Sequence, residues 1–271
     1  MARDGSQPND REVRGGTSVS CPPGTLYVVS IPIGHPDDIT IRALATLRRV
    51  AVIASENPRA TQMLLSHHGI TATITSYGPQ NRHEKILLLL HRLMQGHDVA
   101  LVSDNGTPVI YDPGSLFVAA AHQQGIPVKA IPGPSIVTAA TALSGFSGDA
   151  IVFEGCLPST NRHLTQYLLR LRKERRTVVC CITPLALARL LKLLTQVLPT
   201  RQIAIAMNLT TDRERLFRGK PGELLDQMGR VSKDSAVTIV IEGFTAGSYA
   251  RKLRRRINPH YSSSRRRMRT R

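Results

Sequence analysis

Apolar and polar positions alternate along the chain in two rhythms. Short β-branched runs at 26–33, 50–54, 99–102 and 128–131 are bounded by Gly, Pro or Asp, as buried strands are. Between them, 39–50, 59–68, 83–95 and 115–124 carry Leu, Ala and Ile at helical spacing. Strand–helix alternation at this interval predicts right-handed crossovers and a parallel sheet. A second half repeats the theme in a different texture. Its predicted strands are 151–153, 178–182, 203–207 and 237–241, and its predicted helices are 164–171, 186–197 and 222–228. Pro132-Gly133-Pro134 is the natural hinge. The expected organisation is therefore a flexible lead at 1–23, an α/β domain at 24–132, a second α/β domain at 133–246 and a disordered tail at 247–271.

Composition narrows the function classes. Hydrophobic residues make up 41% of the 271, which supports packed cores rather than global disorder. With no Trp, six Tyr and five Phe, the chain is poorly equipped to read nucleic acid mainly by base stacking. Cys21, Cys156, Cys180 and Cys181 form no CxxC pair, so neither a disulfide framework nor a structural zinc ribbon is expected. Residues 1–20 are polar and lack the apolar stretch of a signal peptide. The tightest apolar run, 86–90, stops at His91 and Arg92, too short to span a bilayer. A cytoplasmic protein without a membrane segment is the expectation. Net charge is +17, yet ten Lys or Arg and no acid fall within 251–271, leaving +7 for everything before them. Such a tail attracts a polyphosphate backbone without reading its sequence, although a basic run can also be only a solubilising end.

Candidate chemistry concentrates in three turns at predicted strand ends, where open α/β sheets bind ligands. They are Pro32-Ile33-Gly34-His35-Pro36-Asp37-Asp38; Ser103-Asp104-Asn105-Gly106-Thr107-Pro108, followed by Asp112-Pro113-Gly114; and Ile131-Pro132-Gly133-Pro134-Ser135. Each opens a predicted helix, so Asp38, Asp112 and Ser135 could equally be capping groups. A GxGxxG after a strand, a P-loop and a GxSxG elbow are absent from the sequence, and the nine histidines show no HExxH or other ligand spacing. No metal is expected. The pair His67-His68 reads as solvated.

These segments resemble a known family. Leu26-Tyr27-Val28-Val29-Ser30-Ile31-Pro32-Ile33-Gly34 with Asp37-Asp38-Ile39-Thr40 resembles the opening motif of the rRNA small subunit methyltransferase I family, part of the tetrapyrrole-methylase superfamily. Val99-Ala100-Leu101-Val102-Ser103-Asp104, Gly106-Thr107-Pro108 and Asp112-Pro113-Gly114 are similar to its central motif. Gly125-Ile126-Pro127-Val128 leading into Pro132-Gly133-Pro134-Ser135 is similar to the third, and Phe153-Glu154-Gly155-Cys156-Leu157-Pro158 resembles the start of its second domain. The similarity covers about 24–243.

The resemblance implies two α/β domains with S-adenosylmethionine in the cleft between them, usually in a homodimer. The implied reaction is methylation of a cytidine ribose 2′-hydroxyl in small-subunit ribosomal RNA, free or in the assembled subunit. Carried onto this chain, the cofactor pocket would draw on Asp104, Asn105, Gly106, Thr107 and Pro108, on Pro132, Gly133, Pro134 and Ser135, and on Pro184, Met207 and Asn208. His35, Asp37, Asp38 and Glu56 are the candidates for the base or an orienting group, with Asp37 or Asp38 favoured and helix capping as the other reading of both. Arg59, Arg251, Lys252, Arg254, Arg255 and Arg256 are the candidates for RNA contact.

The chain also departs from the family pattern. His35-Pro36 replaces Asn-Leu, Glu56-Asn57-Pro58-Arg59 replaces Glu-Asp-Thr-Arg, and Asn105 replaces Ala. Cys181-Ile182-Thr183-Pro184-Leu185-Ala186 stands where the family has Tyr-Glu-Ser-Pro-His-Arg, and Asn208-Leu209-Thr210 where it has Glu-Leu-Thr. Two further readings therefore stay open: a methyltransferase for a tetrapyrrole, and a non-catalytic RNA- or ribosome-binding paralogue that keeps the fold.

Overall fold

The computed structural model describes residues 22–229 and 231–245. Nearly all of the expected lead, the tail, and with it Arg251, Lys252, Arg254, Arg255 and Arg256, lie outside the described residues.

The first half runs β1 (Leu26–Val29), α1 (Ile41–Arg49), β2 (Val52–Ser55), α2 (Pro58–His67), β3 (Ile74–Ser76), α3 (Arg82–Met94), β4 (Val99–Val102), α4 (Ser115–Gln123) and β5 (Val128–Ile131). Its five strands lie in the order β3-β2-β4-β1-β5 and every pairing is parallel. Strand alternation then sorts the core. Tyr27, Val29, Ile53, Ala100 and Val102 face α1 and α2, while Leu26, Val52, Ala54, Val99 and Leu101 face α3 and α4. All four residues of β2 and of β4 are buried, which is why these runs are apolar throughout rather than alternating.

The second half runs α5 (Ile136–Ser144), β6 (Ile151–Cys156), α6 (Asn161–Arg170), β7 (Thr177–Ile182), α7 (Pro184–Val197), β8 (Ile203–Met207), β9 (Arg215–Gly219), α8 (Pro221–Gln227) and β10 (Val237–Ile241). Here the parallel expectation gives way. Order β6-β7-β10-β8-β9 is parallel only between β6 and β7; the other three pairings are antiparallel. One face of this sheet carries Ile203, Ile205, Ile239 and Ile241 against α6, α7 and α8. The other carries small residues, Ala204, Ala206, Val179 and Val240, on which Ala140 of α5 packs. Helix α7 buries Leu187, Leu190, Leu191 and Leu194, one stripe at i, i+3, i+4 and i+7. Each of these contributes about 1.5–3 kcal/mol from burial.

Within the first half, Ile31 exchanges both backbone hydrogen bonds with Gly106, so the central turn folds back onto the end of β1. The halves touch at named points. Ile33 reaches across to pack with the α5 cluster of the second half. Gly34 lies against Leu209; a side chain there would collide with the Leu209 carbonyl oxygen and with Thr210, so only glycine fits. The His35 backbone N–H donates to Thr210 Oγ1 at 2.9 Å.

Capping differs from the sequence expectation. Thr40, not Asp38, caps α1, its Oγ1 accepting from Ala43 N at 3.1 Å. Asn57 caps α2 through Ala60 N, with Pro58 in the first turn as expected. Gly114 is the N-cap of helix α4, and neither Asp112 nor Ser135 makes a side-chain cap bond. The turn acids are thus free of the structural duty that could have explained them. Among the described residues no helix is long and apolar enough to cross a membrane.

Candidate functional site

Because all strands of the first sheet run the same way, their carboxyl ends share one edge, and the three Gly- and Pro-rich turns converge there. Between that edge and the second sheet lies a hollow of about 270 Å³. The first half contributes Glu56, Asp104, Asn105, Gly106, Thr107, Tyr111 and Asp112 to it, and the second adds Ser135, Ile136, Val137, Phe153 and Cys181. A shallower hollow lined by Ile33, Asp38, Thr40, Gly133, Pro134 and Ser135 adjoins it, the two meeting at Ser135.

Three carboxylates face the deeper hollow. Burial, then the neighbouring Glu56 and Asp104, push the Asp112 carboxyl up to about 8. Its Oδ2 is buried with no hydrogen-bond partner. Asp104 is raised as well, by burial and by the Glu56 charge, against a hydrogen bond from the Asn57 backbone. The floor is fixed by Ser103 Oγ donating to the Gly106 carbonyl at 3.0 Å and by the Ser30 Oγ–Thr107 Oγ1 bond of 2.8 Å.

The loop between Gly106 and Gly114 is under strain. Val109 and Tyr111 hold φ of 77° and 59°, values that cost side-chain-bearing residues free energy, and a β-branched residue most of all. That conformation lays the Tyr111 ring edge-on to Phe153, with centroids 6.4 Å apart. The ring rests on Gly155, itself at φ +60°, where any Cβ would strike it. A hydrogen bond to Cys156, together with burial, raises the Tyr111 hydroxyl. Burial also raises the Cys181 thiol, which keeps it protonated at neutral pH.

The sequence candidates therefore separate into groups. Glu56, Asp104, Asn105, Gly106, Thr107 and Ser135 line the deeper hollow; Asp38, Gly133, Pro134 and Ser135 line the shallower one. Pro108 and Pro132 shape the turns without lining either. His35 and Asp37 sit outside, where Asp37 Oδ1 is 2.9 Å from His67 Nε2, a hydrogen bond that lowers the Asp37 carboxyl. Met207 and Asn208 line a separate groove with Arg213 and Phe217, and Pro184 opens α7 against Leu187 and Leu191. Asn208 Oδ1 accepts from Ala236 N and its Nδ2 donates to the Arg213 carbonyl, so this amide braces its own loop. Arg59 is exposed on the first turn of α2, three residues beyond Glu56.

Sequence reasoning did not assign Tyr111, Asp112, Phe153 or Cys181 to the site. Cys181 lies at the carboxyl end of β7, so the strand-end rule applied to the second half would have found it, whereas Phe153 sits in the middle of β6 and carries no such signal. Asp112 stands in one of the candidate turns, where capping is an equal reading of the sequence, and it makes no cap bond.

Fold and cleft together define the class. Residues 25–225 match the family of Tetrapyrrole (Corrin/Porphyrin) Methylases. Diphthine synthase superposes with a TM-score of 0.61 at 15% identity, covering 85% of this chain and 94% of that one. Uroporphyrin-III-C-methyltransferase from Thermus thermophilus superposes at 0.54 and 21%, covering 84% and 98%. At such identities these structures share the fold alone. Closer in sequence is the ribosomal RNA small subunit methyltransferase I of Thermotoga maritima, 38% identical over 220 residues, 81% of this chain and 99% of that protein. Its namesake from Micromonospora olivasterospora is 39% identical over 81% of this chain and 71% of that protein. The chain belongs to the ribosomal RNA small subunit methyltransferase I family, within the tetrapyrrole methylases.

Proposed function

We propose that this chain is an S-adenosylmethionine-dependent methyltransferase that modifies a cytidine ribose 2′-hydroxyl in small-subunit ribosomal RNA, working as a homodimer. The observation that carries the reading is the deeper hollow: walled by both sheets, set at the carboxyl edge of the parallel one, and holding three carboxylates without a paired cation among the lining residues. A sulfonium donor that also bears an ammonium group is cationic, and the unpartnered Asp112 oxygen beside Asp104 suits such a ligand. The Asp104–Thr107 and Gly133–Ser135 turns would hold it. When bound, the donor supplies an electrophilic methyl carbon to an in-line displacement.

The chain's own residues do the rest. Among the four base candidates, Glu56 is the one that lines the deeper hollow, so we place it as acceptor of the ribose hydroxyl proton. Asp112, holding its proton up to about pH 8, keeps a second negative charge off Glu56 until a cation enters. Tyr111 and Phe153 line one wall of the hollow with aromatic surface. Asp38 lines the shallower hollow, on the side where Gly133 and Pro134 approach, and would orient the ribose. The basic residues of 251–271, with exposed Arg59, would supply sequence-independent phosphate contact, and removal of that tail is expected to flatten the salt dependence of RNA binding.

The test is methyl transfer from radiolabelled donor to small ribosomal subunits, with the product nucleotide identified by mass spectrometry. A 2′-O-methylcytidine is expected, and Glu56→Gln should lower kcat by about 100-fold while donor affinity stays within twofold. A methylated base instead of a ribose, or full turnover by Glu56→Gln, would overturn the assignment.

A further inference from the structure

Away from the cleft, the turn after β1 and the end of α2 bring together side chains that the proposed reaction does not employ. Helix α2 ends at His67, and His68 follows it; the 3-10 turn Pro36–Asp38 is laid against that end. One donor atom from each of Asp37, His67 and His68 lies within 4.8 Å of the others. Only Asp37 and His67 are hydrogen-bonded directly, at 2.9 Å. Nε2 of His68 is 3.1 Å from the Pro36 carbonyl. A carbonyl only accepts, so this nitrogen carries the proton, and in the neutral ring Nδ1 keeps its lone pair. Ligating histidines are commonly fixed in this way, with the second ring nitrogen donating to a backbone carbonyl.

We propose that Asp37, His67 and His68 form a binding site for one divalent transition-metal ion of zinc-like preference, separate from the methyl-transfer cleft. Two imidazoles and one carboxylate from two elements make a mixed nitrogen–oxygen set, which suits zinc and its neighbours and not calcium or magnesium. Zinc–ligand bonds of about 2.0–2.2 Å require donors about 3.5 Å apart, a closure that side-chain rotation from the present spread can supply. Asp37 and His67 are exposed, so an ion can enter and a water can complete the coordination. His35 stands next in line, its Nδ1 4.0 Å from Asp37 Oδ2, but it already accepts the Asp37 backbone N–H at 3.2 Å. The ion would tie the end of α2 to the turn that carries Asp38, and so stiffen one rim of the shallower hollow. The sequence gives no ligand spacing within a single helix because these ligands come from two segments 30 residues apart.

The test is titration of the metal-stripped full-length protein with Co²⁺ and Zn²⁺, followed by calorimetry and absorption. One equivalent binding at micromolar or tighter Kd is expected. Co²⁺ should give visible ligand-field bands without a near-ultraviolet thiolate band. Asp37→Ala and His67→Ala should each weaken binding at least tenfold, with far-ultraviolet circular dichroism unchanged in the metal-free state. The proposal is overturned by no Co²⁺ binding at millimolar concentration, by a thiolate band that assigns the ion to cysteine, or by unaltered affinity in both variants. In the first case Asp37 and His67 form a hydrogen-bonded pair only. Donor binding is not part of this experiment, so its outcome is independent of the methyltransferase reading.

Discussion

The two sheets of this molecule are built from the same materials and do different things. In the first, five parallel strands deliver every carboxyl end to one edge, and three of these ends, those of β1, β4 and β5, open into Gly- and Pro-rich turns. In the second, three of the four pairings are antiparallel, so strand ends point both ways and only β6 and β7 aim side chains at the cleft. The consequence shows in what each half contributes. Glu56, Asp104 and Asp112, all the carboxylates of the deeper hollow, come from the parallel half, whereas the antiparallel half contributes Phe153, Cys181 and a helix end. Strand direction decides where charge can be collected; the other sheet shapes the space beside it.

The join between the halves is the most sensitive point of that comparison. Gly34→Ala places a methyl group on the Leu209 carbonyl and on Thr210, and an overpacked backbone contact should cost about 3 kcal/mol. Urea denaturation measures it, and a loss below 0.5 kcal/mol would mean that the halves are not held at this contact.

Charge stored in the parallel half has its own signature. The folded protein keeps a proton on Asp112 up to about pH 8, while the unfolded chain releases it near the usual carboxylate value. The native state therefore binds more protons between those limits, and its stability falls as pH rises through them. Asp112→Asn removes that loss. Discounted for partial solvent access, the variant should be more stable than the parent by about 1–2 kcal/mol at pH 8.5 and equal to it at pH 4. Denaturant midpoints at the two pH values make the comparison. Equal stability at both would show that Asp112 is not held neutral.

A smaller effect separates turns that cap from turns that bind. Thr40→Ala removes the α1 cap and should cost about 1 kcal/mol, whereas Ser135→Ala, with no cap bond to lose, should cost little and act on donor affinity. Thermal unfolding of the two variants tests this.

Much of the frame was readable from residues alone, and the failures have physical causes. The runs at 99–102, 203–207 and 237–241 are strands with the expected ends, because continuous burial leaves an unbroken apolar signal. The run at 128–131 also keeps its expected ends, although as an edge strand it leaves Lys129 and Ala130 exposed. The run at 26–33 ends as a strand at Val29, since the chain turns toward the Ile31–Gly106 bridge and Pro32 has no N–H to pair. Two strands left no such signal. β3 is three residues long at a sheet edge, and β9 reads Arg-Leu-Phe-Arg-Gly because an edge strand is half solvated and tolerates Arg215 and Arg218. Antiparallel pairing of the second sheet was invisible for another reason: apolar runs specify burial, not direction.

The site was readable in part for the same reason. The turn candidates Asp104, Gly106 and Ser135 line the deeper hollow, but the further candidates carried over for the second half, Pro184, Met207 and Asn208, lie in other grooves. Which strand end of a mixed sheet faces the cleft depends on its topology, and that is settled only in three dimensions. Asp37 is adjacent in sequence to Asp38, yet its carboxylate is held by His67 in a contact between segments.

The measurement that addresses the central claim most directly is calorimetric titration of the protein with S-adenosylmethionine and S-adenosylhomocysteine, repeated on Asp104→Asn and Asp112→Asn. The account predicts micromolar binding of the donor, weaker binding of the neutral-sulfur product, and a narrowed difference between the two in both variants. No binding of either compound at millimolar concentration, or variants that bind both as the parent does, would contradict a donor site in this hollow.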